Sequence, residues 1–412
     1  MLFTVGAAAI FLRSPRLFFE PRFWAEEGRD FFSFAFSHSA LEALSRPDGG
    51  NYDFARNLAS ILAVHLAPLE WAPLVTTLFS FGIQLIPIVL ILNHSSPALK
   101  STFRQAVAIA FYLVAAASEE IWLTTLHSQR YLSIAAFLIL LDEPVADRPL
   151  RTWGHRALLL VAGLSGPETV LLAPVFLVKW LLERERENIV HAALISACAA
   201  LQFAVFILAP SEISRFDPLD LRTFTTIIWI KNMMLPLLGY TGIKPFRWAY
   251  LQAAGAWGQV LGVGLLLAEV GVFWALARKI PSRNRILIFG SFVLTTVFSV
   301  VFAIGDKAGL IDEIGGNRYF YAPNFMLALL LLLNVGREAV PRSRFSPVWT
   351  GLLILALLTG TLRYWRLGGF FTRWDVSWKQ EVAAWRENPQ HELRIWPTGW
   401  AVRLNPNAPR EN

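Results

Sequence analysis

The sequence has little charge, one cysteine and few histidines, and each shortage excludes a class of protein or site. Charged residues make up 16% of the 412 residues, against roughly 25% in soluble domains. A single cysteine, Cys198, rules out an intrachain disulfide and a cysteine-based metal site. The seven histidines are scattered, so a histidine-rich zinc site is not expected. No P-loop or dinucleotide-binding glycine motif occurs, and no nucleotide cofactor is predicted.

The chain is instead rich in apolar sequence. Hydrophobic residues account for 55% of it, and its mean hydropathy is +0.47. Several apolar runs approach the roughly 20 residues that cross a bilayer. The 16 tryptophans and 31 phenylalanines are typical of proteins with interfacial aromatic belts. We therefore predict an all-α polytopic integral membrane protein. Its bundle, residues 1–364, should contain about 10–12 membrane helices, some of them short or re-entrant.

Short basic loops set the predicted orientation. Lysine and arginine gather between apolar segments, and the positive-inside rule places such loops in the cytoplasm. These loops are Asp142–Arg156, Lys179–Arg186, Arg278–Arg285 and Arg337–Arg344. Counting crossings from them puts the loop 14–53 and the C-terminal tail 365–412 on the extracytoplasmic side. The net charge of +7 is explained by these loops and does not predict a nucleic-acid partner.

Three apolar segments do not fit a simple crossing. Residues 157–182 lie between two basic loops and are too few for two full spans, so we predict a hairpin broken at Gly166 and Pro167. The same counting makes Phe224–Tyr240 a dip from the outside and Phe54–Leu66 an interfacial or re-entrant helix. Broken helices at membrane depth are tolerated where they line a cavity walled by protein.

The most unusual stretch follows the first apolar segment and reads Phe-Trp-Ala-Glu-Glu-Gly-Arg-Asp-Phe-Phe from position 23. It places Glu26, Glu27 and Asp30 within five residues of one another, among aromatic rings. Charge at a membrane exit is costly, so the stretch is a functional-site hypothesis. The alternative is a solvated loop in which the acids pair with Arg22 and Arg29.

Other polar residues are predicted to lie at the same extracytoplasmic face. They come from several segments of the chain and include both signs of charge. They are Arg56, Glu119, Glu120, His127, Gln129, Glu168, Lys231 and Arg318. Glu269 is the exception, because it lies within an apolar helix nearer the cytoplasmic end, where pairing with a basic side chain of the following loop is expected. The face therefore combines acids with cations that could bind a phosphate.

The order of these features resembles the GT-C class of polytopic glycosyltransferases. That class includes the dolichyl-phosphate-mannose protein mannosyltransferases and the bacterial lipid A aminoarabinose transferases. The shared features are a first helix, an external loop with paired acids, a short helix, and a proline-bracketed turn at Leu69–Ala72 before a long helix. Arg318–Pro323 and Ile395–Trp400 are similar to segments of uncharacterised bacterial members. The chain lacks the large external domain of the best-known members.

The resemblance implies transfer of a sugar from a polyprenyl-phosphate donor to a lipid or cell-envelope glycan, at the outer face of a bacterial inner membrane. It implies Glu27 as the first choice for the base that activates the acceptor, ahead of Glu26, with Asp30 also a candidate. Arg318 would hold the donor phosphate, with Lys231 and Arg56 as further candidates. The sugar or acceptor would be bound by His127, Gln129, Glu168 and Tyr319.

Purely structural roles stay open for the same residues. Arg318 could be an interfacial anchor, Lys231 a snorkelling lysine, and His127 an ordinary hydrogen-bonded histidine. No metal site is predicted, although two or three carboxylates could hold a divalent cation through oxygen. At the level of function, the alternatives are a lipid or solute transporter or flippase, and a non-catalytic polysaccharide assembly protein.

The tail 365–412 is predicted to form a small extracytoplasmic cap. Tryptophans at positions 374, 378 and 385 recur at helical spacing, so a helix over Trp374–Trp385 would place them on one face. Glu392–Leu404 is expected to form a strand or a hairpin around Pro397. We expect the tryptophan face to pack on the membrane domain or on lipid headgroups.

Overall fold

The structure is a computed structural model, and it describes most of the chain. The described residues are 1–96, 99–116, 118, 120–143, 148–209, 219–252, 255–277, 282–303, 307–312, 315–335, 346–365 and 377–406. Of the positions named above, Glu119, Trp374 and residues 144–147, 278–281, 337–344, 366–376 and 407–412 lie outside them.

The described chain is almost entirely helical, as the sequence predicted. The α-helices are α1 Leu2–Arg13, α2 Arg16–Phe19, α3 Ser33–Ser37, α4 Ala40–Ser45, α5 Phe54–His65, α6 Ala72–Leu92, α7 Thr102–Val114, α8 Ser128–Leu141, α9 Pro149–Leu164, α10 Pro167–Val170, α11 Ala173–Glu183, α12 Arg186–Leu208, α13 Leu221–Ile228, α14 Leu235–Gln252, α15 Gly255–Ala277, α16 Ser282–Val301, α17 Tyr321–Leu333, α18 Ser346–Tyr364 and α19 Trp378–Glu387. Glu27–Phe32 and Trp229–Met234 are π-helical, and short 3₁₀ turns cover Leu69–Trp71, Thr125–His127, Lys307–Ile311 and Asn317–Phe320. Two antiparallel hairpins, β1 Pro47–Asp48 with β2 Asn51–Tyr52 and β3 Leu393–Ile395 with β4 Trp400–Val402, are the strands of the described residues.

Five helical segments of the described chain are long and apolar enough to cross a membrane. They are Leu69–Leu92, Arg186–Leu208, Trp257–Leu276, Arg283–Val301 and Pro347–Tyr364. α1 and α7 are apolar but shorter. Membrane character is therefore supported by length and composition, while the predicted total of about 10–12 membrane helices stays a prediction.

Two of the helices form the centre of the bundle. In α8 every residue except Gln129 is buried, and in α17 every residue except Leu333 is buried. A helix that is apolar and buried on all sides must be surrounded by other helices. The surrounding helices are α6, α7, α9 and α16, each of which packs against α8, α17 or both.

The bundle has two chemically different ends. At one of them, which we call the acidic end, contacts join residues 14–71, 120–127, 165–168, 315–320 and 377–406. At the other, the basic end, Arg151 pairs with Asp142, the Lys179 ammonium donates to the Asp142 carbonyl at 2.7 Å, and Arg283 lies 3.3 Å from Glu143. Among the described residues, basic segments that were predicted to be cytoplasmic thus meet at one end of the bundle, and the side of a membrane that each end faces stays a prediction.

The hairpin predicted at Gly166 is present, and residues 221–252 form a second one that is longer than the predicted dip Phe224–Tyr240. α9 ends at Leu164, the chain turns at Gly166, and α10 and α11 run back along α9. The return is shown by Asp142, which contacts both Arg151 near the start of α9 and Lys179 near the end of α11. Gly166 has a φ of 95°, which glycine adopts without strain. Residues 221–252 fold back at Gly239, whose φ is 66°, so that the Tyr250 hydroxyl lies 2.8 Å from Thr223 Oγ1. How deep either hairpin lies in a membrane stays a prediction.

The C-terminal tail packs on the loop that carries the acids. Trp378, Val382 and Trp385 of α19 share an apolar cluster with Phe23 and Phe32. The Trp378 indole also donates to the Leu69 carbonyl at 2.8 Å. The helix predicted in this tail begins at Trp378, and the hairpin predicted around Pro397 is formed by β3 and β4.

Candidate functional site

The acidic loop is held in an unusual backbone conformation by the tail. Trp24 and Trp396 form a parallel bridge, in which Ala25 N–H donates to the Trp396 carbonyl and Trp396 N–H donates to the Phe23 carbonyl. A π-helical turn follows from Glu27. Gly28 is needed there, because a Cβ at this position would lie 2.7 Å from Phe23 Cβ. Local sequence alone does not produce this turn, since its bridging partner lies more than 370 residues away.

Glu27 is the buried acid of the loop, with 2% of its surface exposed. One carboxylate oxygen accepts from the backbone N–H of Thr125, at 2.9 Å, and from the Thr125 hydroxyl. The other accepts from Trp24 N–H at 3.1 Å. Burial raises the pKa of Glu27, and these hydrogen bonds and the charge of Arg56 oppose the rise. Glu27 therefore ties the acidic loop to the turn that precedes α8.

Glu26 and Asp30 have different surroundings. Glu26 is half-buried and makes no hydrogen bond to a described residue, although the charge of Arg29 acts on it. Asp30 is paired with its neighbour Arg29 through two hydrogen bonds of 2.9 and 2.8 Å. The Arg29 guanidinium in turn lies 4.2 Å from the centre of the Trp400 ring. Of the three acids of the loop, Glu26 is the one whose oxygens are available.

Arg56 is buried between the acidic loop and the turn before α8. It pairs with Asp53 at 2.8 Å and donates to the Leu126 carbonyl at 3.3 Å. Asp53 also caps α5, because its side chain accepts from Arg56 N–H at 3.1 Å. The guanidinium lies 4.4 Å from the centre of the Phe31 ring. Arg56 is therefore neutralised by Asp53 while remaining next to the acids.

His127 is buried in the same turn. Burial lowers its pKa well below the usual range, and the positive charges of Arg318, Arg130 and Arg56 lower it further. The imidazole is therefore neutral at physiological pH. Its Nε2 is buried without a hydrogen-bond partner among the described residues.

The first turn of α8 and the α9–α10 hairpin form a buried ion pair. Arg130 binds Glu168 through one carboxylate oxygen, and their side chains are 6% and 2% exposed. The pKa of Glu168 is raised by burial, and Arg130 opposes the rise. Gln129 packs on the turn, since a Cβ built on Gly166 would lie 2.4 Å from its Oε1. The hairpin thus brings Glu168 to the acidic end, as the sequence predicted.

Tyr319 lies between two guanidinium groups. Arg130 is 4.8 Å and Arg318 5.0 Å from the centre of its ring. Arg318 also pairs with Glu120 and donates to the Tyr319 hydroxyl at 3.4 Å. Two cations flanking one phenol create a positive region, which is balanced by the acids Glu120 and Glu168.

Lys231 lies behind this cluster. Its ammonium group donates to the Asp312 carbonyl at 2.7 Å and to Asn317 Oδ1 at 2.6 Å. Asn317 immediately precedes Arg318, so Lys231 supports the turn that presents Arg318. These contacts make it a support of the turn before Arg318, and its predicted contact with the donor phosphate stays a prediction.

Several buried polar atoms of the acidic end have no hydrogen-bond partner among the described residues. They belong to side chains from α5, from the start of α8 and from the α9–α10 hairpin. They are Arg56 Nε, His127 Nε2, Ser128 Oγ, Arg130 Nε, Glu168 Oε1 and Thr169 Oγ1. Buried polar groups normally find a partner, so a cluster of exceptions marks a place where a polar ligand or water would be bound.

Sequence reasoning missed three residues of this site. Thr125 holds Glu27, Asp53 neutralises Arg56, and Arg130 pairs with Glu168. Arg130 was detectable, because it adjoins His127 and Gln129 at the start of an apolar segment. The capping role of Asp53 was also readable, but the partners of all three come from distant parts of the chain.

Two arginines flank the Tyr319 phenol, the neutral His127 imidazole lies near them, and Glu26 belongs to the loop that Glu27 ties to the same turn. Such a set can accept a proton and bind an anion. Within the described residues, no group of three or more histidine, cysteine, aspartate or glutamate side chains is arranged to hold a metal ion. No family model, curated protein or solved structure matches the chain.

Proposed function

We propose that the protein is a membrane glycosyltransferase that moves a sugar from a polyprenyl-phosphate donor to a lipid or cell-envelope glycan. The reaction would take place at the acidic end, on the extracytoplasmic side of a bacterial inner membrane. The observation that carries the proposal is the buried cluster of acids and arginines at this end, with its polar atoms that lack partners. Burying such a cluster costs free energy, and ionisable groups buried in a membrane protein commonly mark a functional site.

The proposed reaction is a single displacement. A hydroxyl of the acceptor attacks the anomeric carbon of the sugar, and the bond from that carbon to the phosphate oxygen breaks. Glu26 takes the hydroxyl proton, because its carboxylate is uncommitted whereas that of Glu27 already accepts three hydrogen bonds. Polyprenyl phosphate leaves with its negative charge stabilised by Arg318 and Arg130. The configuration at the anomeric carbon is inverted.

The remaining residues of the cluster have supporting roles in this scheme. Glu27 fixes the loop that presents Glu26, and Lys231 fixes the turn that presents Arg318. His127 is neutral and offers its unpartnered Nε2 to a sugar hydroxyl. Gln129 and Tyr319 lie beside the arginines and complete the binding surface.

The test measures donor binding and sugar transfer on the same purified variants. In Glu26→Gln, transfer should fall by roughly 10²–10⁴-fold while binding of polyprenyl phosphate is retained. Arg318→Ala should weaken both binding and transfer. Glu20→Gln is a matched control, because Glu20 belongs to the same loop and forms an exposed pair with Arg16 at 2.6 Å.

Full transfer activity in Glu26→Gln would remove the base from this position. A transporter would behave differently: its substrate would cross sealed vesicles without chemical change, and no glycosylated product would form. Envelope glycans of a deletion strain, complemented by each variant, provide the same comparison in cells. A glycan profile that is unchanged by the deletion would contradict the proposed transfer.

A further inference from the structure

A second site lies inside the bundle, away from the acidic cluster. It is a partly open cavity of about 150 Å³ lined by α7, the 221–252 hairpin, α15, α17 and α18, and we call it the asparagine cavity. Its walls are apolar, with Phe111, Trp229, Met233 and Trp349 among them. Asn232 and Asn324 are the two side-chain amides that line it.

The two asparagines form a chain of hydrogen bonds with a defined direction. Asn324 Nδ2 donates to the Lys231 carbonyl at 3.2 Å, and a carbonyl can only accept. Asn324 must therefore present its Oδ1 to Asn232, whose Nδ2 donates to it at 2.9 Å. This order leaves Asn232 Oδ1 as the free end of the chain.

That free oxygen is buried and unpartnered. Asn232 is 1% exposed, and its Oδ1 has no hydrogen-bond donor among the described residues. The amide belongs to the π-helical turn Trp229–Met234, and such turns occur often at functional sites. A buried acceptor without a donor is costly, and an apolar cavity beside it does not hold water well.

We propose that the asparagine cavity binds a hydrocarbon chain that carries a hydroxyl group. The apolar walls accommodate the carbon atoms, and the hydroxyl donates its proton to Asn232 Oδ1. Cavities of roughly 150 Å³ in protein interiors bind molecules the size of benzene, which corresponds to about six carbon atoms. A carboxylate or phosphate does not fit, because the cavity offers it an acceptor where it needs a donor.

This site is independent of the proposed transfer reaction. Its ligand contacts the back of the turn that carries Lys231, whereas the reaction would occur at the acidic cluster. The proposal therefore stands or falls on binding alone and is tested without any assay of activity.

The probe is a six-carbon alcohol that carries a diazirine ring. The purified full-length protein is photolabelled in detergent, and the labelled peptides are mapped by mass spectrometry. Label is expected on the 221–252 hairpin, α17 and α18. Unlabelled 1-hexanol should compete at about tenfold lower concentration than pentyl methyl ether, which has the same number of heavy atoms but no donor.

Two variants test the contribution of the apolar walls and that of the Asn232 amide separately. Ala356→Leu fills the cavity and should abolish the labelling, with folding checked by gel filtration. Asn232→Leu should retain labelling but lose the preference for the alcohol over the ether. Asn93→Leu is the control, since Asn93 is an exposed asparagine whose side chain donates to the Val89 carbonyl at 2.9 Å.

Two results would overturn the proposal. One is equal competition by the alcohol and the ether in the unmodified protein. The other is label confined to exposed residues such as Trp257, with no change in Ala356→Leu.

Discussion

Replacing Glu27 is expected to loosen the acidic loop far more than replacing Glu26. Glu27→Ala leaves three buried donors, two on Thr125 and one on Trp24, without their acceptor. At about 1–2 kcal/mol for each unsatisfied donor, the free energy of unfolding should fall by about 3–6 kcal/mol. Glu27→Gln keeps an oxygen towards Thr125 and should cost about 1–3 kcal/mol. Glu26→Gln should stay within about 0.5 kcal/mol of the wild type.

The assay is thermal unfolding of the purified variants, followed by tryptophan fluorescence. For a chain of this size, each kcal/mol corresponds to about 1–2 °C, so Glu27→Ala should melt about 3–12 °C lower. Trypsin cleavage after Arg29 provides a local measurement, because Arg29 lies in the acidic loop and its exposed guanidinium contacts Trp400 of the tail. Faster cleavage is expected in Glu27→Ala and unchanged cleavage in Glu26→Gln. Equal destabilisation by Glu26→Gln and Glu27→Ala would refute the assignment of Glu27 as the buried acid that ties the acidic loop to the turn before α8.

Further predictions concern pH, the buried ion pair, the tail and the orientation. Because burial raises the pKa of Glu27, this residue favours the folded state at low pH, and wild type should gain stability relative to Glu27→Gln as the pH falls from 7 to 5 in thermal melts. Arg130→Met alone should cost about 3–5 kcal/mol, and adding Glu168→Leu should restore much of that loss; additive losses in the double-mutant cycle would argue against the pair. Trp396→Ala should expose the acidic loop to protease, and a cleavage rate equal to that of wild type would contradict the bridge between tail and loop. A reporter fused near Ser45 should read extracytoplasmic, and a cytoplasmic signal would reverse the orientation.

Residue patterns were sufficient to predict which segments contribute to the candidate site. From the positions of the basic loops, the sequence predicted that His127, Glu168 and Arg318 lie at one end of the bundle. In the structure, these three residues lie around Arg130 and Tyr319. The count works because charge is costly in a bilayer, so that each loop is assigned to a side by composition alone. The same cost made the Glu26–Asp30 stretch conspicuous.

Sequence patterns could not predict which of the two neighbouring glutamates is buried. Glu26 and Glu27 have the same side chain and the same flanking rings, and the resemblance to known transferases favoured Glu27. Their environments diverge because Thr125, almost one hundred residues away, faces one of them. For Lys231, likewise, the sequence suggested contact with the donor, whereas Asn317 and Asp312 hold its ammonium group.

By itself, the sequence determined the all-α class, the sorting of segments between two ends, the hairpin at Gly166 and the hairpin in the tail. Each of these follows from local properties: hydrophobic periodicity, charge, and the backbone freedom of glycine. Only the tertiary structure decided which acid is buried, which arginine is neutralised, and that Asn232 has a free oxygen beside an apolar cavity. Those outcomes depend on pairs of groups from distant segments, because the desolvation and hydrogen bonding of a polar group are set by neighbours that the chain supplies only once it is folded.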